Sequence, residues 1–561
     1  MSALESNELT ASESKAACAP VAVKNKFEAD TSATENESNE LNEPNSSNES
    51  EDAQQEFLTG WPLRGLASVL GLVMFLALLE NSIVGTLTPA ITSNFHSLDD
   101  AGWFGSAYML PVAALQPLMG KVYSTMDQKW CFIGFFALFE LGSLLCGVST
   151  SSTMLIIGRS ITGMAVAGLQ NGSLSIVASA APLEQRAGMF HLVVIGTSQL
   201  GTVTGPLVGG ALTSYTTWRW AFYINLPAGA LILPGLLWLR IPKTKRSASA
   251  KRSRRLIVFA DVDIVGFALL SGFAVQLLLA LQWGGSLYPW SSSRIIGLLC
   301  GSGATLAAFV SWAWLRGDKA ILPVSLMRQT LVWTCTVTFG LLTASMFTIS
   351  YYLPTYFQAV KGLSAILSGV NTLPNILSQI ITLIFLNYLV KKLGYLIPWL
   401  VASGVITSIS SGLLTTLKVD TLPGKWIGYQ ILFGAGYAMG LQMPILAVQQ
   451  SIPPNIVPIA ISLLIFAQML LSSVCVAVGG TILNNSLRSL LRQDVPSIDP
   501  EIVIRAGAAN IRNVIHDPEI LQQIVVAFAT SVSRILYIST AAAAATLMFA
   551  WGLGWKDIRR K

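Results

Sequence analysis

The chain reads as an all-α integral membrane protein that crosses the bilayer fourteen times. Three observations predict this class. Its 561 residues are 52% hydrophobic and only 11% charged, with a mean hydropathy of +0.59, whereas a soluble chain carries roughly 25% charged residues. Apolar runs of about 20 residues, the length of a spanning helix, recur along it without the alternation of a membrane β-barrel. Lysine and arginine gather in alternate loops, the bias that orients membrane helices.

Apolar spans are expected at 66–91, 103–119, 130–149, 154–180, 188–212, 219–240, 262–282, 294–315, 331–353, 365–390, 396–417, 426–449, 458–482 and 526–552. Several are longer than a bilayer needs, which permits tilt or kinking. Counted from a cytoplasmic amino terminus, the inner loops hold Lys121 and Lys129; Arg186; KTKRSASAKRSRR at 243–255; Arg316, Lys319 and Arg328; Lys391 and Lys392; and the terminal KDIRRK. The outer loops hold only Lys361, Lys418 and Lys425 before the last one. Both ends are therefore expected inside the cell, with the 243–255 run as an inner loop near anionic lipid rather than a nuclear-targeting signal. The last loop, 483–525, is expected outside although it carries arginines. Its VPSIDPEIVIRAGAANIRNVI reads as short amphipathic helices on the outer face. The sequon at Asn484 falls on the side where glycosylation occurs, and those at Asn36, Asn45 and Asn48 do not.

The first 56 residues hold 13 acids and 3 lysines, so a net −10 precedes a remainder of +16. This Ser-, Asn- and Glu-rich tail has too little apolar surface to fold and is expected to be disordered. It lacks the basic start and apolar core of a secretory signal. Cys18, Cys131, Cys146, Cys300, Cys335 and Cys475 have no paired spacing, and His96, His191 and His516 are scattered. No disulfide framework, metal site or cofactor is implied; His191, near an inner loop, reads as an interfacial residue. The chain has no clustered nucleophile, which speaks against an enzyme, and no Gly-rich phosphate loop, which excludes ATP as energy source. Loops such as 123–129 are too short to bind nucleic acid.

Six spans, a basic loop, two spans and six more suggest two helical bundles around a midplane cavity, as in many transporters. The divisions expected are a tail at 1–60, a first bundle at 61–240, a loop with two inserted helices at 241–330, and a second bundle at 331–561.

Embedded charge marks the candidate site. LVMFLALLENSIVGTLTPAIT, residues 72–92, sets Glu80 near the middle of a span, where a charge costs at least ~2.5 kcal/mol. At 1.5 Å per residue Glu80 lies about 21 Å from the inner surface and Arg159 about 8 Å below the outer one. In a core of about 30 Å these depths nearly coincide. The two can form a static ion pair between spans 1 and 4, or a pair whose carboxylate exchanges a proton. Glu140, about 15 Å deep in span 3, is either a second protonatable group or an acid kept neutral. Gly201, Gly205, Pro206, Gly209 and Gly210 form a small-residue ridge suited to close helix packing, with a proline that removes a backbone hydrogen bond. Tyr108, Tyr352, Gln379 and Gln442 can line a large, mostly apolar cavity or act as interhelical glue.

Several strings resemble the major facilitator superfamily, in particular its fourteen-span drug:proton antiporter branch and the fungal toxin-exporter group within it. SLDDAGWFGSAYML (97–110) and GKVYSTMDQKW (120–130) are similar to the family's outer loop, second span and first inner loop. GRSITGMAVAGL (158–169), GTVTGPLVGG (201–210), WRWAFYINLP (218–227) and YYLPTYFQAVKGLSAILSG (351–369) follow in the family's order, and the likeness covers roughly residues 62–560. Gly120 and Lys121 fit the inner-loop motif. Ser124 stands where the family often has aspartate, and Glu80 where it usually has aspartate. The resemblance implies a major facilitator fold of two six-helix bundles plus two inserted helices, and a coupling role for Glu80 and Arg159. It also makes the 201–210 ridge an exporter motif that seals one face during exchange. The expected function is a monomeric, proton-coupled efflux pump of the cell membrane, exporting amphipathic small molecules such as secondary-metabolite toxins or drugs, with a vacuolar or vesicle membrane as the other location. The alternatives are a vacuolar amino-acid or siderophore transporter, or a transport-dead sensor.

Overall fold

The computed structural model describes residues 58, 60–95, 100–181, 196–238, 263–285, 288–454 and 456–554. The acidic tail, Arg186, His96, His191, the 243–255 run, the terminal KDIRRK and the start of the fifth expected span lie outside the described residues.

The elements follow the expected order: α1 (Trp61–Phe95), α2 (Ala101–Thr125), α3 (Gln128–Gly147), α4 (Ser152–Ala180), α5 (Gly196–Tyr215), α6 (Trp220–Tyr223) and α7 (Asn225–Trp238). Then come α8 (Ile264–Trp283), α9 (Ser293–Arg316), the short α10 (Val324–Met327), α11 (Thr330–Ala359), α12 (Ala365–Val370) and α13 (Leu373–Leu393). The chain ends with α14 (Ile397–Leu414), α15 (Pro423–Leu441), α16 (Met443–Ser451), α17 (Val457–Asp494), α18 (Pro500–Val514) and α19 (Pro518–Ala550). Polar residues set the starts. Asp127, Ser151, Asp263, Ser292 and Asp517 each accept a hydrogen bond from a backbone N–H of the first turn of α3, α4, α8, α9 and α19, which satisfies donors that the helix itself leaves unpaired. Proline occupies the first turn of α13 through α17, where its missing N–H costs nothing.

Among the described residues twelve helices are long and apolar enough to cross a membrane, against fourteen expected spans. The two expected spans below that mark are the helices α2 and α5. α2 carries Gln116, Lys121 and two internal prolines, and α5 is rich in Gly and Thr. Both are packed against protein, α2 on α4 and α5 on α1, so helix contacts take the place of apolar surface. Helical structure also runs from the last-but-one span into the 483–525 loop. α17 runs on to Asp494 because its polar groups find partners: Arg488 pairs with Glu501 at 2.6 Å and Arg534 donates to Ser486 at 2.8 Å. Within the loop, α18 is the expected amphipathic helix, broken at Gly507 with φ 69°.

The packing repeats itself. In the first half α1 packs on α5, and α2 and α3 both pack on α4. In the second half α11 packs on α17, and α13 and α14 both pack on α15. The same partnerships, first span with fifth and second and third with fourth, mark two copies of one bundle plan. α8 and α9 pair with each other, and α8 also touches α2 and α17. The halves meet where α2 and α4 touch α17 and where α5 touches α12 and α13. Large apolar side chains such as Leu231, Trp238, Trp314, Leu315, Phe385 and Met548 remain exposed around the outside, a surface suited to lipid and not to water. Asp263 anchors the inserted pair: its carboxylate accepts from Gly266 N at 2.9 Å, Trp312 Nε1 at 2.8 Å and Ile321 N at 3.2 Å.

Candidate functional site

Glu80 and Arg159 meet as their depths predict. Arg159 Nη1 donates to Glu80 Oε1 at 3.2 Å, and both side chains are fully buried. The second carboxylate oxygen accepts from Ser143 Oγ of α3 at 2.6 Å and Asn225 Nδ2 of α7 at 2.7 Å. Asn225 and Ser143 also touch each other at 3.1 Å. Thus α1, α3, α4 and α7 converge on one carboxylate. Arg159 is held in turn: its Nε donates to the Phe104 carbonyl at 3.0 Å, and its guanidinium lies 4.5 Å from the centre of the Tyr108 ring. Nη2 has no hydrogen-bond partner among the described residues. Such a pair is affordable only because the extra donors supplement the Coulombic attraction.

Ser143 and Asn225 were not singled out from sequence. Asn225 lies in WRWAFYINLP and Ser143 three residues past Glu140, but short polar side chains in a helix give no sign of their partner. The rest of that string forms a cap at one end of the bundle. Trp218 packs edge-on to Phe95 and Phe222, and Arg219 stacks on Trp218 while donating to the Ser149 carbonyl at 3.0 Å.

The glycine ridge faces α1. A Cβ on Gly201 would come 3.1 Å from Leu79 N, one on Gly205 2.6 Å from Ser82 Cβ, and one on Gly209 2.7 Å from Ile83 Cγ1. Two hydrogen bonds cross the same seam, Ser82 Oγ to the Thr202 carbonyl at 2.6 Å and Thr197 Oγ1 to the Gly71 carbonyl at 2.9 Å. Gly210 is half-buried, and the side chain of Pro206 lies outside the described residues. Gly120 serves a different contact. A Cβ there would meet Ser462 Cβ at 2.7 Å and the Pro458 carbonyl at 2.8 Å, so it lets α2 of the first half lie on α17 of the second. Lys121 is half-buried, and its carbonyl accepts from Ser124 Oγ at 2.8 Å.

Glu140 lies against Gly229 of α7, and neither of its carboxylate oxygens has a hydrogen-bond partner among the described residues. The four cavity candidates are dispersed. Tyr108 belongs to the charged site, donating to the Ala77 carbonyl at 3.1 Å. Tyr352 ties α11 to α17 by donating to the Val476 carbonyl at 2.5 Å. Gln379 donates to Asn375 Oδ1 at 3.1 Å. Gln442 is buried at the junction of α15 and α16, its Nε2 without a partner among the described residues. Asn484 lies inside α17, and the sequon's Ser486 is buried beneath Arg534. Among the described residues no three His, Cys, Asp or Glu side chains are grouped to hold a metal.

The geometry of a transporter, two like bundles with a buried charged site in the first, agrees with the likeness to known proteins. The sequence profile of the Major Facilitator Superfamily matches residues 70–475. The MFS-type transporter pigP of Monascus ruber is 48% identical over 90% of this chain and 88% of its own. The efflux pump mokI of Monascus pilosus is 42% identical over 90% of this chain and 93% of its own. The fold is also that of the crystal structure of the human organic anion transporter MFSD10, with a TM-score of 0.54 over 86% of this chain and 99% of that one at 14% identity. The chain is a multi-pass membrane transporter, not an enzyme, and belongs to the major facilitator superfamily, in the group that holds these fungal transporters and efflux pumps.

Proposed function

We propose that this protein exports amphipathic organic molecules, of the kind fungi make as secondary metabolites, from the cell in exchange for protons. The observation that carries the reading is the fully buried Glu80–Arg159 pair, on a helix whose other face is sealed to the glycine ridge. Protonation of Glu80 removes the anion and leaves the Arg159 cation buried. Depriving a buried pair of one partner costs about 3–5 kcal/mol, enough to favour another arrangement of α1 against α4. Deprotonation restores the pair. A pH difference of one unit supplies about 1.4 kcal/mol per proton, which sustains a tenfold substrate gradient. The efflux-pump name of the Monascus pilosus relative supports the outward direction.

The test is Glu80→Gln, which keeps shape and hydrogen bonding but fixes the neutral state. In vesicles loaded with rhodamine 6G as an amphipathic probe, the variant should insert normally and lose uphill efflux driven by an imposed pH gradient. Glu80→Asp, keeping the acid, should retain much of it. Wild-type pH dependence in the glutamine variant would make Glu80 a structural anchor.

A further inference from the structure

Glu140 is a half-buried acid with both carboxylate oxygens buried, and the exchange at Glu80 does not use it. It stands three residues before Ser143 on α3, and residues three apart share a helix face. Ser143 is a donor to Glu80. Across the seam, Gly229 stands four residues after Asn225, the other neutral donor to Glu80. Ser143 meets Asn225, while Lys129 Nζ at the start of α3 donates at 2.7 Å to the Leu237 carbonyl at the end of α7, so the two helices run antiparallel. Both steps therefore lead one helical turn from Glu80 toward the Lys129 end. There the Glu140 carboxylate occupies the space a side chain at 229 would take: a Cβ on Gly229 would stand 2.5 Å from Glu140 Cδ.

We propose that Glu140 is a second proton-binding group of the exporter, cradled by Gly229, and that opening of the α3–α7 seam releases its proton. This rests on proton exchange at Glu80. A buried carboxylate with no donor is costly as an anion, and only Gly229's lack of a side chain gives it room. The charged and titratable groups on the elements against α3 are Arg159 on α4, Tyr223 on α6, Tyr108, Lys121 and Tyr123 on α2, and Arg64 and Glu80 on α1; α7 has none. α3 itself adds Lys129, Cys131 and Cys146. Of these, Glu80 is the other carboxylate, one helical turn away along α3. Tyr223 lies against Gly147, two turns away at the opposite end. Separation of α7 exposes the acid: the O–H bond of the carboxyl breaks, the proton passes to water, and no electrons are exchanged.

The test uses the full chain in lipid nanodiscs, with infrared difference spectra between about pH 4 and pH 9. Wild type should lose a buried protonated-carboxyl band that Glu140→Gln lacks from the start, and Gly229→Ala should shift that band. In vesicles Glu140→Gln should keep downhill rhodamine 6G movement but lose efflux driven by the pH gradient. Glu140→Asp, one methylene shorter, should restore a titrating band if glutamine impairs folding. A glutamine variant with wild-type spectra and wild-type gradient drive would overturn the assignment. If wild-type vesicles show no pH-driven efflux, the exporter reading fails, and the infrared band still decides whether Glu140 exchanges a proton.

Discussion

Gly205 gives the sharpest test of the α1–α5 seam. A Cβ at this position would stand 2.6 Å from Ser82 Cβ and 3.0 Å from Ile83 N, whereas carbon atoms pack best at about 3.5–4.0 Å. Alanine therefore forces the two helices apart by about 1 Å. Overpacking of this kind costs about 1–3 kcal/mol, and separation also strains the Ser82–Thr202 hydrogen bond, worth about 1 kcal/mol. The expected loss for Gly205→Ala is about 2–4 kcal/mol, and more for Gly205→Leu. The assay is the fraction of full-length protein that survives heating in detergent, an operational stability suited to irreversible unfolding, alongside efflux from vesicles. Both variants should insert, lose heat resistance and lose export. Gly85→Ala is the control: it lies on α1 itself with no atom within 4 Å of the new Cβ, and should leave both readouts unchanged. Adding Ser82→Gly to Gly205→Ala removes the clashing carbon and should recover part of the stability, a coupling that only neighbours show. Wild-type stability and export in Gly205→Leu would mean that the ridge faces lipid, and the exporter argument drawn from it would fall.

Two further outcomes are expected. In a chain whose six cysteines are serine, an impermeant thiol reagent outside intact cells should label a cysteine placed at Ser497 and miss one at Ser249; the reverse pattern would overturn the orientation. Asp263→Ala should lower heat resistance, because it strips the acceptor from Trp312 Nε1 and Ile321 N at about 1–3 kcal/mol for each donor left unpaired; unchanged melting would make that tie incidental.

What the sequence made legible follows from what each signal measures. Hydropathy reports burial in lipid or protein together, so it located the helices but gave no sign of the polar end of α17, which is satisfied by Glu501 and Arg534. Depth arithmetic brought Glu80 and Arg159 together because a 1.5 Å rise is a strong ruler for a helix. It could not give azimuth, so Ser143, Asn225 and the Phe104 carbonyl stayed invisible. The glycine ridge signalled a close approach, and its partner α1 emerged only from the packing. Gly229 carried no signal at all; it is meaningful only beside Glu140.

The mechanical sense of the site lies in the uneven joints of α1. Glu80 and Ser82 are two residues apart, about 200° around the helix, so one faces the ion pair and the other the glycine seam. Against α5 the fit is long and continuous, sealed by backbone approach and two crossing hydrogen bonds. Against α4 the contact is slight beyond the Glu80–Arg159 pair itself. In the proton exchange proposed above, neutralising Glu80 acts on the weaker joint, and α1 and α5 are expected to move as one rod pair relative to α4. α5 touches α12 and α13, while α2 and α4 touch α17. The two sides of the ion pair thus reach different helices of the second half, so the proposed shift between them would change how the halves meet.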